Sequence, residues 1–303
     1  MSFVYSQADP QFDTTHLVAP PATQTDTRDD ALRAFAAANS LHYEASAPAP
    51  ACGGALFEYL ENAAVSDRFS GEVGGRLFDV GTVTGTVGGS QSRTTSGGVQ
   101  ITSSFTSTRR ATHGYLVIRL DRTLPHIVLD ATRNDRTFGS SIPMPIAQDQ
   151  RLSLEGDFDS HFRLYCPTGY ERDALYVMTP DLMALLIDDA GDLDAEIVDD
   201  FFYLYSNEAF DVADPALWQR LASIRAVLGA KALSQTENYS DDRVAGRAPN
   251  TVGDDGRRLR QTFIAADSSM TPRRLLFIVG GAFVLIFGVV ITGFVLIWGA
   301  ISP

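Results

Sequence analysis

The chain has 303 residues and a formal net charge of −13, from 24 Lys and Arg against 37 Asp and Glu. A nucleic-acid binder needs a basic footprint to neutralise phosphates, so nucleic acid is not an expected partner, and the acidic balance also works against lying flat on an anionic leaflet. Two cysteines, Cys52 and Cys166, make neither a disulfide framework nor a zinc site.

Residues 1–26 are polar and aperiodic and are expected to be disordered. They contain no basic region followed by an apolar core, so no secretory signal is expected. A short helix is predicted over 28–39, with Thr27 as its cap and Asp29 and Asp30 at its positive end. Residues 45–54, ASAPAPACGG, read as a linker. From Phe57 the pattern turns to β. Residues 68–87 predict two strands joined by a glycine turn. Residues 85–108, mostly Gly, Ser and Thr, read as a long flexible hairpin loop or connection.

HGYLVIRL (113–120) and HIVLD (126–130) predict two strands with a turn from Asp121 to Pro125. RLSLEG (151–156) and HFRLYC (161–166) predict two more, with Phe162, Leu164 and Cys166 on one face. A helix is predicted near 171–178. Thr179-Pro180-Asp181 starts another, which Gly191 stops. AEIVDD and FFYLYS (195–206) read as a strand pair. Asp214-Pro215 opens a last helix with Leu217, Leu221, Ile224 and Leu228 in one stripe. Strands follow strands more often than they alternate with helices, which predicts an α+β fold with a mainly antiparallel sheet and packed helices. The soluble domain is assigned to 27–233 and a polar tether to 234–274.

Residues 275–300, LLFIVGGAFVLIFGVVITGFVLIWGA, carry no charge. That run exceeds the roughly 20 residues that cross a bilayer core, so one C-terminal transmembrane helix is predicted and the lipid bilayer is a partner. Arg257, Arg258, Arg260, Arg273 and Arg274 precede the span and no charge follows it. Positive charge is retained in the cytoplasm. The expected arrangement is a tail-anchored, single-pass protein of the cell membrane, with residues 1–274 cytoplasmic and the C-terminus outside. Gly288 and Thr292 form one small-xxx-small pair. It is open to two readings: a homodimer through the membrane helix, or the ordinary glycine content of such helices.

Chemistry is sparsely marked. Lys231 is the only lysine and does not sit in a phosphate-binding loop. Dinucleotide fingerprints, zinc-protease motifs and nucleophile elbows are missing from the sequence. No catalytic residue and no cofactor is assigned. The one constellation is Glu155, Asp157, Asp159 and His161. In an extended segment these alternate residues share a face, and three carboxylates with an imidazole suit a divalent cation. The other reading is a polar connection between strands. His113 and His126 flank the expected turn and would pair with Asp130 or Asp121 as acid and base, or serve as structural groups. Cys166 alternates with apolar residues and reads as a buried inert thiol.

The stretch LSLEGDFDSHFRLYCPTGYERDALYVMTPDLMALLID, followed by EIVDDFFYLYS, resembles uncharacterised bacterial single-pass membrane proteins with a domain of unknown function. The resemblance spans residues 28–245, most firmly 110–245. It implies a membrane-anchored domain and assigns no activity or catalytic residue. Together with the missing motifs it favours a non-catalytic interaction or structural module; the alternative is a membrane-tethered enzyme or metal-binding domain using 155–161. A topology reporter fused after Pro303 is expected to be active only outside the cytoplasm; activity inside would reverse the orientation.

Overall fold

The computed structural model describes residues 11–17, 25–50, 52–87, 91–96, 99–104, 109–135, 142, 144, 146–154, 156–228, 239–244 and 250–261. The span expected at 275–300, Glu155 and most of 1–24 lie outside them. Among the described residues no helix is long and apolar enough to cross a membrane. The chain divides into two units, residues 1–88 with 107–262, and residues 89–106 with 263–303.

In the first unit the elements are α1 (Thr25–Ala38), β1 (Leu41–Pro48), α2 (Ala55–Tyr59), β2 (Leu60–Val73) and β3 (Arg76–Val87). In the second, β4 (Gln91–Ser96) pairs with β5 (Val99–Ser104) as an antiparallel hairpin. This hairpin lies within the stretch 85–108 expected as a long flexible hairpin loop or connection. Thr, Val and Ile in it favour extended backbone, and its Gly97-Gly98 dipeptide is a hairpin-turn signal. The first unit continues with β6 (Arg109–Ala131), β7 (Arg151–Leu152), α3 (Phe158–His161), β8 (Phe162–Tyr165), α4 (Glu171–Val177), α5 (Pro180–Asp188), β9 (Asp194–Tyr205) and α6 (Pro215–Val227). The fold is α+β. Its seven strands run antiparallel in the order β1-β2-β3-β6-β8-β7, with β9 on the other edge of β6.

Gly74 and Gly75, at φ +62° and +77°, turn β2 into β3, as a two-residue hairpin turn requires. Within β2 the register shifts between Ser66 and Phe69. Asp67 is the extra residue there, at φ +50°. Its carboxylate accepts both ends of the Arg28 guanidinium, at 3.0 and 2.9 Å, and the Tyr43 hydroxyl at 2.9 Å. The bulge therefore ties α1 to the sheet edge. Helix α1 begins earlier than expected, so Thr27 lies inside it.

The two hairpins expected at 113–130 and 195–206 are instead two long strands paired with each other. Strand β6 runs 23 residues without a turn and β9 runs 12. Both change parity at the same level. On β6, Leu116, Ile118 and Leu120 face the main core before the break; Ile127, Leu129 and Ala131 face it afterwards. On β9 the core residues pass from Ala195 and Ile197 to Phe202 and Leu204. The register shifts on either side of the Leu124↔Asp199 pair, and Asp199 sits at φ +52°. A bulge keeps the apolar set inward where a plain strand would turn it outward. Pro125 falls at this break, where a missing backbone donor costs least.

Helices cover one face of the sheet. The caps of α5 and α6 form as their sequences predict: Thr179 Oγ accepts from the Leu182 amide at 3.2 Å, and Asp214 from the Ala216 amide at 2.9 Å. Trp218 of α6 is fully buried, with ring centroids of Phe35, Phe69 and Phe12 at 4.4, 4.9 and 5.2 Å. Phe12 and buried Leu17 belong to this core, so residues 11–17 are packed and not disordered.

The tether expected from residue 234 is also corrected. Residues 239–244 and 250–261 lie on the first unit because Tyr239, Val252 and Leu259 bury their side chains there. The Asp241 carboxylate accepts from Tyr170 Oη at 2.7 Å, the Gly253 amide at 2.9 Å, and the Arg243 amide and Nη1 at 3.0 Å each. Burial opposes its ionisation, but these donors outweigh burial and hold the carboxyl down at about 2, from 3.8. A carboxyl more acidic when folded adds stability above its unfolded value and loses it as pH falls through the folded one. The melting temperature of the detergent-solubilised full chain should therefore fall between about pH 4 and pH 2. Asp241→Asn should lower it at neutral pH and flatten that fall.

Candidate functional site

The face of the sheet away from the large helices carries the candidate site. Val83, Tyr115, Val117, Tyr203 and Tyr205 point to it from β3, β6 and β9. Asp79 stands opposite Val117, and Val117 opposite Tyr203. Arg68 reaches Asp79 from β2, with Nη2 at 2.7 Å and Nε at 3.0 Å from Oδ2. The buried Tyr115 hydroxyl donates to Asp79 Oδ1 at 2.9 Å. Burial, reinforced by the Asp79 charge, pushes that phenol up. Arg68 Nη1 makes a looser pair with Glu44, at 3.5 Å.

Above this floor is a cavity of about 440 Å³, lined by Pro48, Ala49, Pro50, Cys52, Arg68, Leu77, Asp79, Val117 and Phe201. Its volume lies within the roughly 300–1,000 Å³ of small-molecule sites. Leu77 is 40% exposed at its edge. Burial pushes the Cys52 thiol up to about 11, so thiolate is scarce at neutral pH. The buried Tyr203 hydroxyl lies beside that thiol, and burial pushes its phenol up.

Next to the cavity is a closed polar cluster. Glu196 of β9 accepts from His126 Nε2 at 2.8 Å, Tyr205 Oη at 2.7 Å and the Ala55 amide at 2.8 Å. The Leu259 amide donates to His126 Nδ1 at 3.1 Å, which places the ring proton on Nε2. His126, Glu196 and Tyr205 are all buried. Burial, then the Glu196 charge, pushes the Tyr205 phenol well up. Gly54 makes room for the cluster: a Cβ there would run into Tyr205 Oη and the Tyr203 ring. This is an acceptor saturated by three donors and shut from solvent, and it holds α2 and residue 259 against the sheet.

A second cavity of about 570 Å³ lies by α4, lined by Arg172, Asp173, Tyr176, Tyr239, Ser240, Asp242 and Arg243. Arg243 is tied to Asp173 and Asp241, both at 3.0 Å, and lies over the Tyr170 ring at 4.0 Å.

The segment singled out for metal is not extended. Phe158–His161 is one helical turn, so alternate residues do not share a face as expected. Asp157 is 84% exposed, and its carboxylate is 3.9 Å from His161 Nε2. Asp159 accepts from the Leu154 amide at 3.0 Å and from Ser153 Oγ, the local closure of an acidic turn. Among the described residues no three His, Cys, Asp or Glu side chains gather as metal ligands. His126 pairs with Glu196 and neither Asp121 nor Asp130; those bind Arg76 and Arg163. His113 Nδ1 meets the Ser206 carbonyl at 2.8 Å. Cys166 is buried, its thiol pushed up to about 12 by burial.

Sequence reasoning passed over Arg68, Asp79, Tyr115 and Glu196. One signal was present: Asp79 interrupts the apolar run LFDV of a strand, where an acid needs a partner. Glu196 has no such mark, since its donors come from residues 55, 126 and 205.

No protein-family model matches the chain, and no curated protein matches it. Among solved structures it is similar to the crystal structure of the mycobacterial trehalose monomycolate transport factor A, with TM-score 0.39 and 7% identity over 65% of this chain and 93% of that one. A likeness at this level carries no inference about fold or function. Glu196→Ala leaves the buried donors of His126, Tyr205 and Ala55 without an acceptor and should cost about 3 kcal/mol or more of stability, at about 1–3 kcal/mol per unpaired group, read by denaturant unfolding of the full chain in detergent; a loss below about 1 kcal/mol, that of an ordinary hydrogen bond, would show the cluster does not hold the fold.

Proposed function

We propose that the chain is a non-catalytic interaction module, anchored in the cell membrane by residues 275–300 with its first unit on the cytoplasmic side. The observation that carries this reading is the contrast on one sheet face. An open, mostly apolar cavity is present, while the polar groups around it are spent on each other. Asp79 is saturated by Arg68 and Tyr115, and Glu196 by His126, Tyr205 and the Ala55 amide. A catalytic site keeps a nucleophile or base free to meet a substrate. Here both thiols are held protonated by burial. Such a face is suited to binding and lacks the equipment for bond making.

The charge-free run at 275–300 and the arginines before it support the anchor and its orientation. The alternative, a metal-dependent or catalytic use of 155–161, gains no support from the exposed Asp157 or the internally bonded Asp159.

The test is recovery of whatever binds. When the full chain is purified from membranes with its span intact, Leu77→Asp and Phe201→Asp should each reduce the material retained by the wild type, with melting unchanged. Turnover of any substrate by the purified chain, abolished by changing one polar residue of this face, would overturn the reading.

A further inference from the structure

The cavity itself narrows what it would hold. Its floor and walls are Val117, Phe201, Leu77, Pro48 and Pro50. A site for a polar metabolite presents several convergent polar groups. Here Asp79 has no acceptor capacity turned to spare, since three hydrogen bonds reach it from Arg68 and one from Tyr115. Within Arg68, Nε and Nη2 are taken by Asp79, and Nη1 has only the loose 3.5 Å contact with Glu44. The cavity therefore offers one cationic donor beside an apolar chamber. A ligand with several polar groups would leave most of them unpaired, at about 1–3 kcal/mol each. A ligand with one acceptor and an apolar body would leave none.

The second observation is where such a molecule comes from. Residues 250–261 dock on the first unit through Leu259, Arg260 and Gln261. Residues 262–274 then separate this docked segment from the uncharged run. Fully extended, a stretch of that length reaches about 45 Å. With residues 275–300 as the bilayer anchor proposed above, a tether of that length puts acyl chains within reach at high effective concentration.

We propose that this cavity receives the acyl chain of an amphiphile, with the chain against Val117, Phe201, Leu77 and the two prolines and a head-group oxygen on Arg68 Nη1. The proposal rests on the proposed reading of this face as the binding face and of residues 275–300 as the membrane anchor. The ligand class is a single acyl chain with an acceptor at its head, supplied as a free fatty acid or as part of a phospholipid.

The experiment is photo-labelling of the full chain in native membranes with two probes. One is palmitic acid carrying a diazirine midway along its chain. The other is phosphatidylcholine with the same chain. Peptide mapping should find adducts at 48–50, 52, 77, 79, 117 or 201, competed by unlabelled palmitate. Labelling of 275–300 serves as the internal control for both probes. Label from the free acid alone identifies a fatty-acid site, and label from phosphatidylcholine a lipid-tail site; either supports the proposal. Val117→Trp fills the chamber, and Leu77→Arg charges its edge without touching the core. Each should lower cavity labelling by about tenfold, the factor that ~1.4 kcal/mol of lost affinity produces, with the control unchanged. Leu77→Arg decides the matter if Val117→Trp does not fold. Labelling confined to 275–300, or cavity labelling indifferent to Leu77→Arg, overturns the acyl-chain proposal. It leaves the interaction module standing, because only turnover removes that.

Discussion

The pairing of β6 with β9 is the constraint on which the first unit depends. Strand β6 holds β3 and β8 along one edge and β9 along the other, so it carries the whole sheet. Both strands break their alternation at Leu124↔Asp199. The break turns each strand's apolar residues back to the core, and it also frees polar backbone and a carboxylate at the kink. Residues 250–261 satisfy these. Asn250 Oδ1 accepts from the Thr123 amide at 2.6 Å, Arg257 Nε reaches Asp199 at 3.0 Å, and the Leu259 amide caps His126 beside Pro125. The docked segment is thus a splint on a bent sheet. Its amides and charges fill bonds that a straight ladder would make internally.

That splint gives the second face of the sheet its character. One half is closed by α2, Leu259 and the Glu196 cluster. The other half, over Asp79 and Val117, is bordered by the Pro48–Pro50 segment and stays open as a cavity. The two halves differ in what their carboxylates do. Glu196 organises three segments distant in sequence. Asp79 neutralises Arg68 in the floor of the cavity, and in doing so keeps a charged pair compatible with apolar walls.

Much of the fold could be read along the chain. Helix starts at Thr179-Pro180 and Asp214-Pro215 are local chemistry, and they form where that chemistry predicts. The β2–β3 hairpin follows from adjacent glycines that tolerate positive φ. The predominance of antiparallel strands followed from strand runs separated by few helices. The misread elements share one cause. A break in alternation at Asp121–Pro125 looks the same along the sequence whether the chain turns back or bulges onward. Only the partner decides, and here β9 breaks at the same level. The packed segment 239–261 was misread for a related reason. Its buried anchors, Tyr239, Asp241, Val252 and Leu259, are too sparse to show a period, and their partners lie up to 133 residues away.

The candidate site divides along the same line. The acid-rich stretch around Asp157 and Asp159 is conspicuous because its residues are neighbours, and the structure spends them on a local turn. The cavity is built from residues 48–50, 52, 68, 77, 79, 117 and 201, which no spacing connects. Composition, charge, caps and the uncharged run at 275–300 are properties of contiguous residues, so the chain alone carries them. Which strands bend together, which carboxylates meet which donors and where a hollow remains depend on contacts between distant segments. Those are set by packing, and the tertiary structure alone decides them.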